Sequence, residues 1–398
     1  MARVKRPVFL FFTCQDHPFL DIEQLLRGVV EQSSLRRVYA LSAAVGGAVP
    51  ISDEEVQLII SLPADEWVEA DEPRLAELAD RGLVLRDGVD PVDEERRQRD
   101  ELLAQTGWNP YAALFHFLTR WQGIDLRASA APGGEPVDEL PPIRREDLEQ
   151  FIAERGPPPP AFHPRGPSGE VTELPLVEGQ GGLFELLPRR KTTRSFDAKS
   201  SLAVESLSIV LRSVFGVHGS ALAAPGVVTL KRTSPSGGGL HPVEAYLLAA
   251  DVQGLAPGLY RYLGENHALE LIEALASPRE AHRLATSFMC GQSYFGSAHA
   301  LVVLAARFER NHWKYNAHDK AYPAILMDAA HLSQTLYLVA AELGLGAFVT
   351  AAVNGVDVDE RLGIDGYREG SLAICGFGPP AAEPSPFDPA FVPYVPPR

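Results

Sequence analysis

Hydrophobic positions recur along this chain with more than one period, and the changes between periods divide it. Residues 7–12 form a short apolar run that reads as a strand. From 53 to 62, Val56, Leu58, Ile59 and Ile60 fall near helical spacing behind Ser52, an N-cap candidate, and a second helix is expected over 74–80. The segment 82–88, Gly-Leu-Val-Leu-Arg-Asp-Gly, reads as a strand and a turn. Helix, helix, strand, turn is the order of a winged helix, so residues 1–127 are expected to form a small winged-helix-like N-terminal domain. A charged helix over 93–105 and an aromatic-rich continuation over 108–117 complete it. His116 lies between Phe115 and Phe117, which marks it as a core histidine rather than a ligand.

From 128 to 182 the periodicity gives way to Pro and Gly, including four consecutive prolines at 157–160. This is a linker or wrapping arm, with one short helix expected over 147–155. Beyond 183, helical and strand-like segments alternate in an α+β manner. The spans 243–250 and 300–306 are apolar enough for central strands. A hairpin of shorter strands is expected over 255–262 and 268–271, and helices over 202–215 and 321–343. The last is apolar around most of its circumference, which favours an interface with a second copy.

Length and charge sharpen this picture. The 398 residues suffice for two domains, and the formal charge is −16. Residues 1–140 carry 14 Lys or Arg against 25 Asp or Glu, so a winged helix here would repel nucleic acid. Cys14, Cys290 and Cys375 lack any Cys-x-x-Cys spacing, which argues against a disulfide framework and a zinc site and for a reduced, cytoplasmic setting. No uninterrupted apolar run approaches the ~18 residues of a membrane span, so none is expected. Asp328, His331 and Gln334 share a helix face, read as a buried hydrogen-bonded row rather than a metal site.

Three stretches carry candidate chemistry. Residues 233–242, Thr-Ser-Pro-Ser-Gly-Gly-Gly-Leu-His-Pro, form a loop in which Gly237, Gly238 and Gly239 let backbone N–H groups approach a flat ligand. Residues 189–196, Arg-Arg-Lys-Thr-Thr-Arg-Ser-Phe, gather four cations and three hydroxyls, a set suited to phosphate. Trp313-Lys314-Tyr315, with His312 and His318 close by, offers groups able to move protons.

The order of these stretches, followed by Gly-Leu-Tyr-Arg-Tyr ending at 262 and Leu-Gly-Leu-Gly ending at 346, resembles the nitroreductase superfamily, and within it the SagB-type dehydrogenases of ribosomal peptide maturation. The resemblance covers roughly 183–380. It implies a nitroreductase-like three-layer α+β fold with a central mixed or antiparallel sheet over 183–398, FMN as cofactor, a homodimer, and oxidation of an azoline to an azole in a peptide. It further implies that Arg190, Thr192 and Arg194, with Lys191 beside them, contact the phosphate and ribityl end. Ser236, Gly237, Gly238 and Leu240 contact the ring, and Lys314 and Tyr315 form the proton-transfer pair. Free Lys and Tyr titrate near ~10, so each needs tuning by its neighbour or by desolvation. The superfamily's further cation near a C-terminal Gly-x-Pro turn has no counterpart in 375–380, leaving Lys320 or Arg307 as substitutes. The alternatives on the same scaffold are an NAD(P)H-dependent nitro- or ene-reductase and a non-catalytic peptide-binding partner. The expected partners are a ribosomally made peptide and other maturation enzymes, with no metal.

Overall fold

A computed structural model describes residues 3–20, 32–69, 72–88, 90–129, 137–142, 144–162, 174–175, 177, 179–383 and 385–388. Of the arm expected over 128–182, residues 130–136, 143, 163–173, 176 and 178 lie outside the described residues.

The N-terminal unit holds two small antiparallel sheets. β1 (Arg3–Lys5) is flanked by β5 (Val68–Glu69) and β6 (Leu85–Arg86), and β2 (Leu10–Leu20), β3 (Gln32–Ser42) and β4 (Gly47–Ile51) form the other. The expected strand at 7–12 begins only at Leu10, because Pro7 has no N–H to give a ladder and the chain bends there. Helix α1 (Asp53–Ile60) starts at a capping box: Glu55 N donates to Ser52 Oγ at 3.2 Å, and Ser52 N donates to Glu55 Oε2 at 2.8 Å. Ile59 of α1 packs with Leu75, Leu78 and Ala79 of α2 (Pro73–Asp80) and with Leu83, closing a local core. The observed order is α1, β5, α2, β6, a strand standing between the two expected helices, and the β2–β3–β4 sheet precedes them. The strand expected over 82–88 shrinks to β6 because Gly82 turns at φ 76°.

The charged and aromatic helices are separate: α3 (Pro91–Gln105) and α4 (Pro110–Thr119), broken by Gly107 at φ 68° and by Pro110. Leu103 of α3, Ala113 and Phe117 of α4, and Trp108 between the two helices share one core with Leu207, Val214 and Ile325. The domain edge expected at 127 therefore falls inside a packed unit. Trp108, 2% exposed, is its pin, with its indole N–H donating to Tyr367 O at 3.1 Å. Helix α5 (Arg145–Arg155) stands in the arm and buries no residue.

The C-terminal region follows with α6 (Gly182–Leu186), α7 (Val204–Phe215), the ribbon β7 (Gly219–Ala224) and β8 (Val227–Lys231), then β9 (Val243–Ala249), β10 (Gly258–Leu263), β11 (Ala268–Ala274), α8 (Pro278–Phe288), β12 (Ala300–Arg307), α9 (Phe308–His312), α10 (Ala321–Glu342), β13 (Gly346–Thr350), α11 (Gly355–Leu362) and β14 (Glu369–Gly378). Six strands form one antiparallel sheet in the order β11-β10-β9-β12-β14-β13. Val243, Ala245 and Leu247 face α7 and α10, whereas Tyr246 and Leu248 face α8 and α11. Helices on both faces explain the continuous apolar runs of β9 and β12. This is the three-layer α+β fold expected of the C-terminal domain.

Among the described residues α10 alone is long and apolar enough to cross a membrane by length and composition. One side of it, with Ile325, Leu332 and Leu336, lies in the core, and Pro323, Met327, Ala330 and Gln334 form an exposed stripe opposite.

Candidate functional site

The Gly-rich loop leaves β8 and enters β9. Gly238 and Gly239 sit at φ 64° and 70°, left-handed values that glycine adopts without strain. Asp328 of α10, 5% exposed, holds the loop from below. Its Oδ2 accepts from Ser236 Oγ at 2.5 Å and its Oδ1 from Gly237 N at 3.0 Å, while Ser236 Oγ accepts from His241 N at 2.8 Å. A buried carboxylate bonded in this way fixes the loop firmly. The expected row divides: Asp328 is committed to the loop, Gln334 is exposed, and His331 Nδ1 has no partner among the described residues. No group of three or more His, Cys, Asp or Glu among the described residues could hold a metal ion.

Lys314 and Tyr315 converge on this loop. A Cβ at Gly238 would lie 2.6 Å from Tyr315 Oη and 2.8 Å from Lys314 Nζ, so glycine alone lets both polar tips reach the backbone there. Lys314 Nζ lies 5.5 Å from the Tyr315 ring centre, within cation–π reach. Lys314 is exposed and Tyr315 half-buried.

The segment joining α3 to α4 supports the Lys–Tyr loop from behind. Ala317 N donates to Gly107 O at 2.8 Å, and Asn109 Nδ2 donates to Ala317 O at 3.2 Å and to Asp319 Oδ1 at 2.9 Å. Sequence reasoning missed Asn109, which also caps α4 by accepting from Tyr111 N and Ala112 N. Its cap position before Pro110 was a local signal; its partner some 200 residues away was not. His312 is spoken for: Nδ1 donates to Thr106 O at 3.0 Å, and burial pushes its pKa down to about 4. His318 Nδ1 accepts from Lys320 N at 3.0 Å at the start of α10.

The cation-rich stretch lies elsewhere on the same helix. Thr192 bridges Ala347 of β13, and its Oγ1 is 3.1 Å from Tyr337 Oη. The Arg190 guanidinium lies 5.3 Å over the Tyr337 ring. Lys191 is exposed and, with Arg189, Thr193 and Tyr337, lines a recess of about 140 Å³. Arg194 is paired with Asp388 at 3.0 Å. Asp328 and Tyr337 are nine residues apart on α10, ~13 Å along its axis and half a turn around it. Within one chain the two subsites therefore stay apart, on the two flanks of the exposed stripe. Neither substitute cation reaches Arg190: Arg307 ends β12 ~23 Å from Ala300, whose partner Phe377 adjoins Ala347. Lys320 precedes Tyr337 by ~25 Å of helix.

A cavity of about 600 Å³ opens beside Gly238, Gly239 and Leu240, between the β7–β8 ribbon and Trp313.

Residues 187–379 match the model of the Nitroreductase family. The C-terminal domain belongs to that family. The nitroreductase-like protein MJ1384 of Methanocaldococcus jannaschii is 29% identical over 195 residues, 49% of this chain and 90% of that protein. The trifolitoxin-processing protein TfxB of Rhizobium leguminosarum bv. trifolii is 29% identical over 297 residues, 72% of this chain and 74% of that protein, so the likeness runs beyond the nitroreductase domain. Among solved structures, a chain of the Escherichia coli microcin synthetase McbBCD complex with truncated pro-MccB17 superposes with a TM-score of 0.50 at 20% identity, covering 73% of this chain and 98% of that one, a likeness of fold.

Proposed function

We propose that this chain is an FMN-dependent, SagB-type dehydrogenase that oxidises a ribosomally made peptide, of the azoline-to-azole kind, during natural-product maturation. The observation that carries the proposal is the meeting of Lys314 Nζ and Tyr315 Oη at Gly238. FMN, when bound, supplies a two-electron acceptor. The residues fit such a ligand: Gly238 and Gly239 leave room where side chains would stand, Ser236, Gly237 and Leu240 present backbone beside them, and Arg190, Lys191 and Thr192 suit phosphate and ribityl oxygens. Arg194 joins them on leaving Asp388. Lys314 and Tyr315 hold and move the proton that leaves the substrate and act together as one proton-transfer pair.

The separation of the two subsites supports a homodimer. A second copy docked two-fold on the stripe of α10 sets one chain's Gly loop beside the other's cation-rich stretch. The likeness to TfxB supports a peptide substrate and other maturation enzymes as partners, and a ribosomally made substrate implies a cytoplasmic setting. We assign residues 1–90 as a winged-helix-like module with 91–129 as its anchor on the nitroreductase domain; such a module suits recognition of a leader peptide.

The likeness to MJ1384 favours a second reading, an NAD(P)H-dependent reductase. A cyclised precursor peptide incubated with the protein and oxygen separates them. Loss of two hydrogens from the peptide, seen by mass spectrometry without added NADPH, is the expected result. Peptide left unchanged while NADPH is consumed would establish the reductase instead.

A further inference from the structure

The cavity beside Gly238 is locally positive in a chain of formal charge −16. Its walls carry Arg307, Arg310 and Lys314 against one acid, Glu309. A further carboxylate, Glu244, is shared, lying 3.7 Å from Arg307 and 3.6 Å from Arg232. Arg310 is half-buried, and its Nε donates to a neutral partner, Leu240 O, at 2.5 Å. Burial and the neighbouring Arg307 hold its guanidinium below the usual arginine range. Among the described residues no carboxylate lies within ion-pair reach of Arg310 or Lys314. Partly desolvated cations in excess over acids favour an incoming anion, and a carboxylate matches the planar guanidinium fork.

The opposite wall indicates what carries that anion. Among the described residues β7 and β8 pair as strands only with each other, so apart from Leu230 O, which accepts from His241 Nε2 at 3.1 Å, their outer edges offer backbone N–H and C=O groups to an added strand. Val227, Val228 and Trp313, the last 67% exposed, give the same space an apolar lining. An extended peptide therefore fits better than a small free anion.

We propose that this cavity binds a carboxylate side chain of the peptide substrate at Arg307 and Arg310, so that the position oxidised at Gly238 lies close to an Asp or Glu of the peptide. The proposal rests on the peptide-oxidation reading and names its substrate class. The test is calorimetric binding of two capped pentapeptides, Gly-Val-Asp-Val-Gly and its Asn twin, to the full-length protein. The Asp peptide is expected to bind about tenfold or more tightly than the twin, and added salt should weaken it. Arg307→Gln and Arg310→Gln should each remove most of the difference, and Arg310→Lys, which keeps the charge if the glutamine variant fails to fold, should retain part of it.

Equal binding of the twins, binding of neither, or a preference that survives the arginine variants overturns the proposal. So does NADPH displacing the Asp peptide with an affinity that depends on the same arginines, which would assign the cavity to a dinucleotide phosphate. A protein that oxidises cyclised peptide without preferring Asp loses this inference alone. One that prefers Asp yet takes up no flavin loses the oxidation reading alone.

Discussion

Gly238 is the point at which two side chains and a backbone share one position, and this makes the chemistry testable residue by residue. Lys314→Ala and Tyr315→Phe should each lower peptide turnover by roughly 10²-fold while flavin stays bound, since neither touches the Arg190 and Thr192 subsite. The double variant should be little worse than either single one, because coupled groups do not add. Near-normal turnover in both single variants would remove the pair from the reaction. The histidines nearby make a separate prediction. Burial pushes His116 down to about 3 and His312 down to about 4. Unfolded, both titrate near ~6.5, so below that pH the unfolded chain binds more protons. The stability they contribute is present above pH ~6.5 and lost as pH falls toward 4, by up to ~1.4 kcal/mol per pH unit for each. Asp359, raised to about 6 by burial beside Arg120, binds its proton earlier in the folded state and offsets one of the two between pH 6 and 4. His312→Gln should flatten the fall of the melting temperature on mild acidification; an unchanged slope would show that His312 does not titrate as described. In the sequence the Lys–Tyr pair, the Gly loop and the core character of His116 were all legible, because residue type and neighbours disclose chemistry. Their convergence was not, since no local pattern brings Gly238 to a residue more than seventy positions later.

Helix α10 organises the site at the next scale, holding the Gly loop through Asp328 and the cation-rich stretch through Tyr337. Asp328→Ala would leave Ser236 Oγ and Gly237 N short of a partner, at a cost of ~1–3 kcal/mol, and should also weaken flavin retention. Asp328→Asn, which keeps one acceptor, should fall between, and flavin retention unchanged in the Ala variant would show that the loop holds its shape without Asp328. The segment between α3 and α4 does the same for the Lys–Tyr loop. Asn109→Ala should therefore lower turnover more than it lowers flavin content, comparing the two on one preparation. The periodicity of 243–250, 300–306 and 321–343 located β9, β12 and α10 closely, since helices on both sheet faces demand unbroken apolar strands. It failed at 7–12 and 82–88, where Pro7 and Gly82 redirect the chain, and in joining α3 to α4 across Gly107 and Pro110.

Across the whole molecule, the expected edge at 127 misjudged where the core ends, because Trp108 and Phe117 look in sequence like the interior of a small domain and in the fold belong to the large one. Trp108→Ala should consequently destabilise the nitroreductase domain itself by ~3–5 kcal/mol, measurable as a loss of its melting temperature. The charge of −16 and the apolar circumference of α10 were visible in composition and pattern; its exposed stripe and the place of the two subsites on the flanks were not, since they depend on which turns of the helix meet residues distant in sequence. Met327, 61% exposed at the stripe, should sit within the proposed interface, so Met327→Glu should convert a dimer to a monomer by light scattering and release flavin with it. A native protein that is monomeric at micromolar concentration with flavin bound would contradict the two-chain site. Denaturing the purified protein and identifying the released chromophore by chromatography against FMN tests whether a flavin is held between these subsites. A yellow protein that releases FMN in roughly equimolar amount to chain is the expected result; a colourless protein that also fails to take up added FMN would rule the flavin site out.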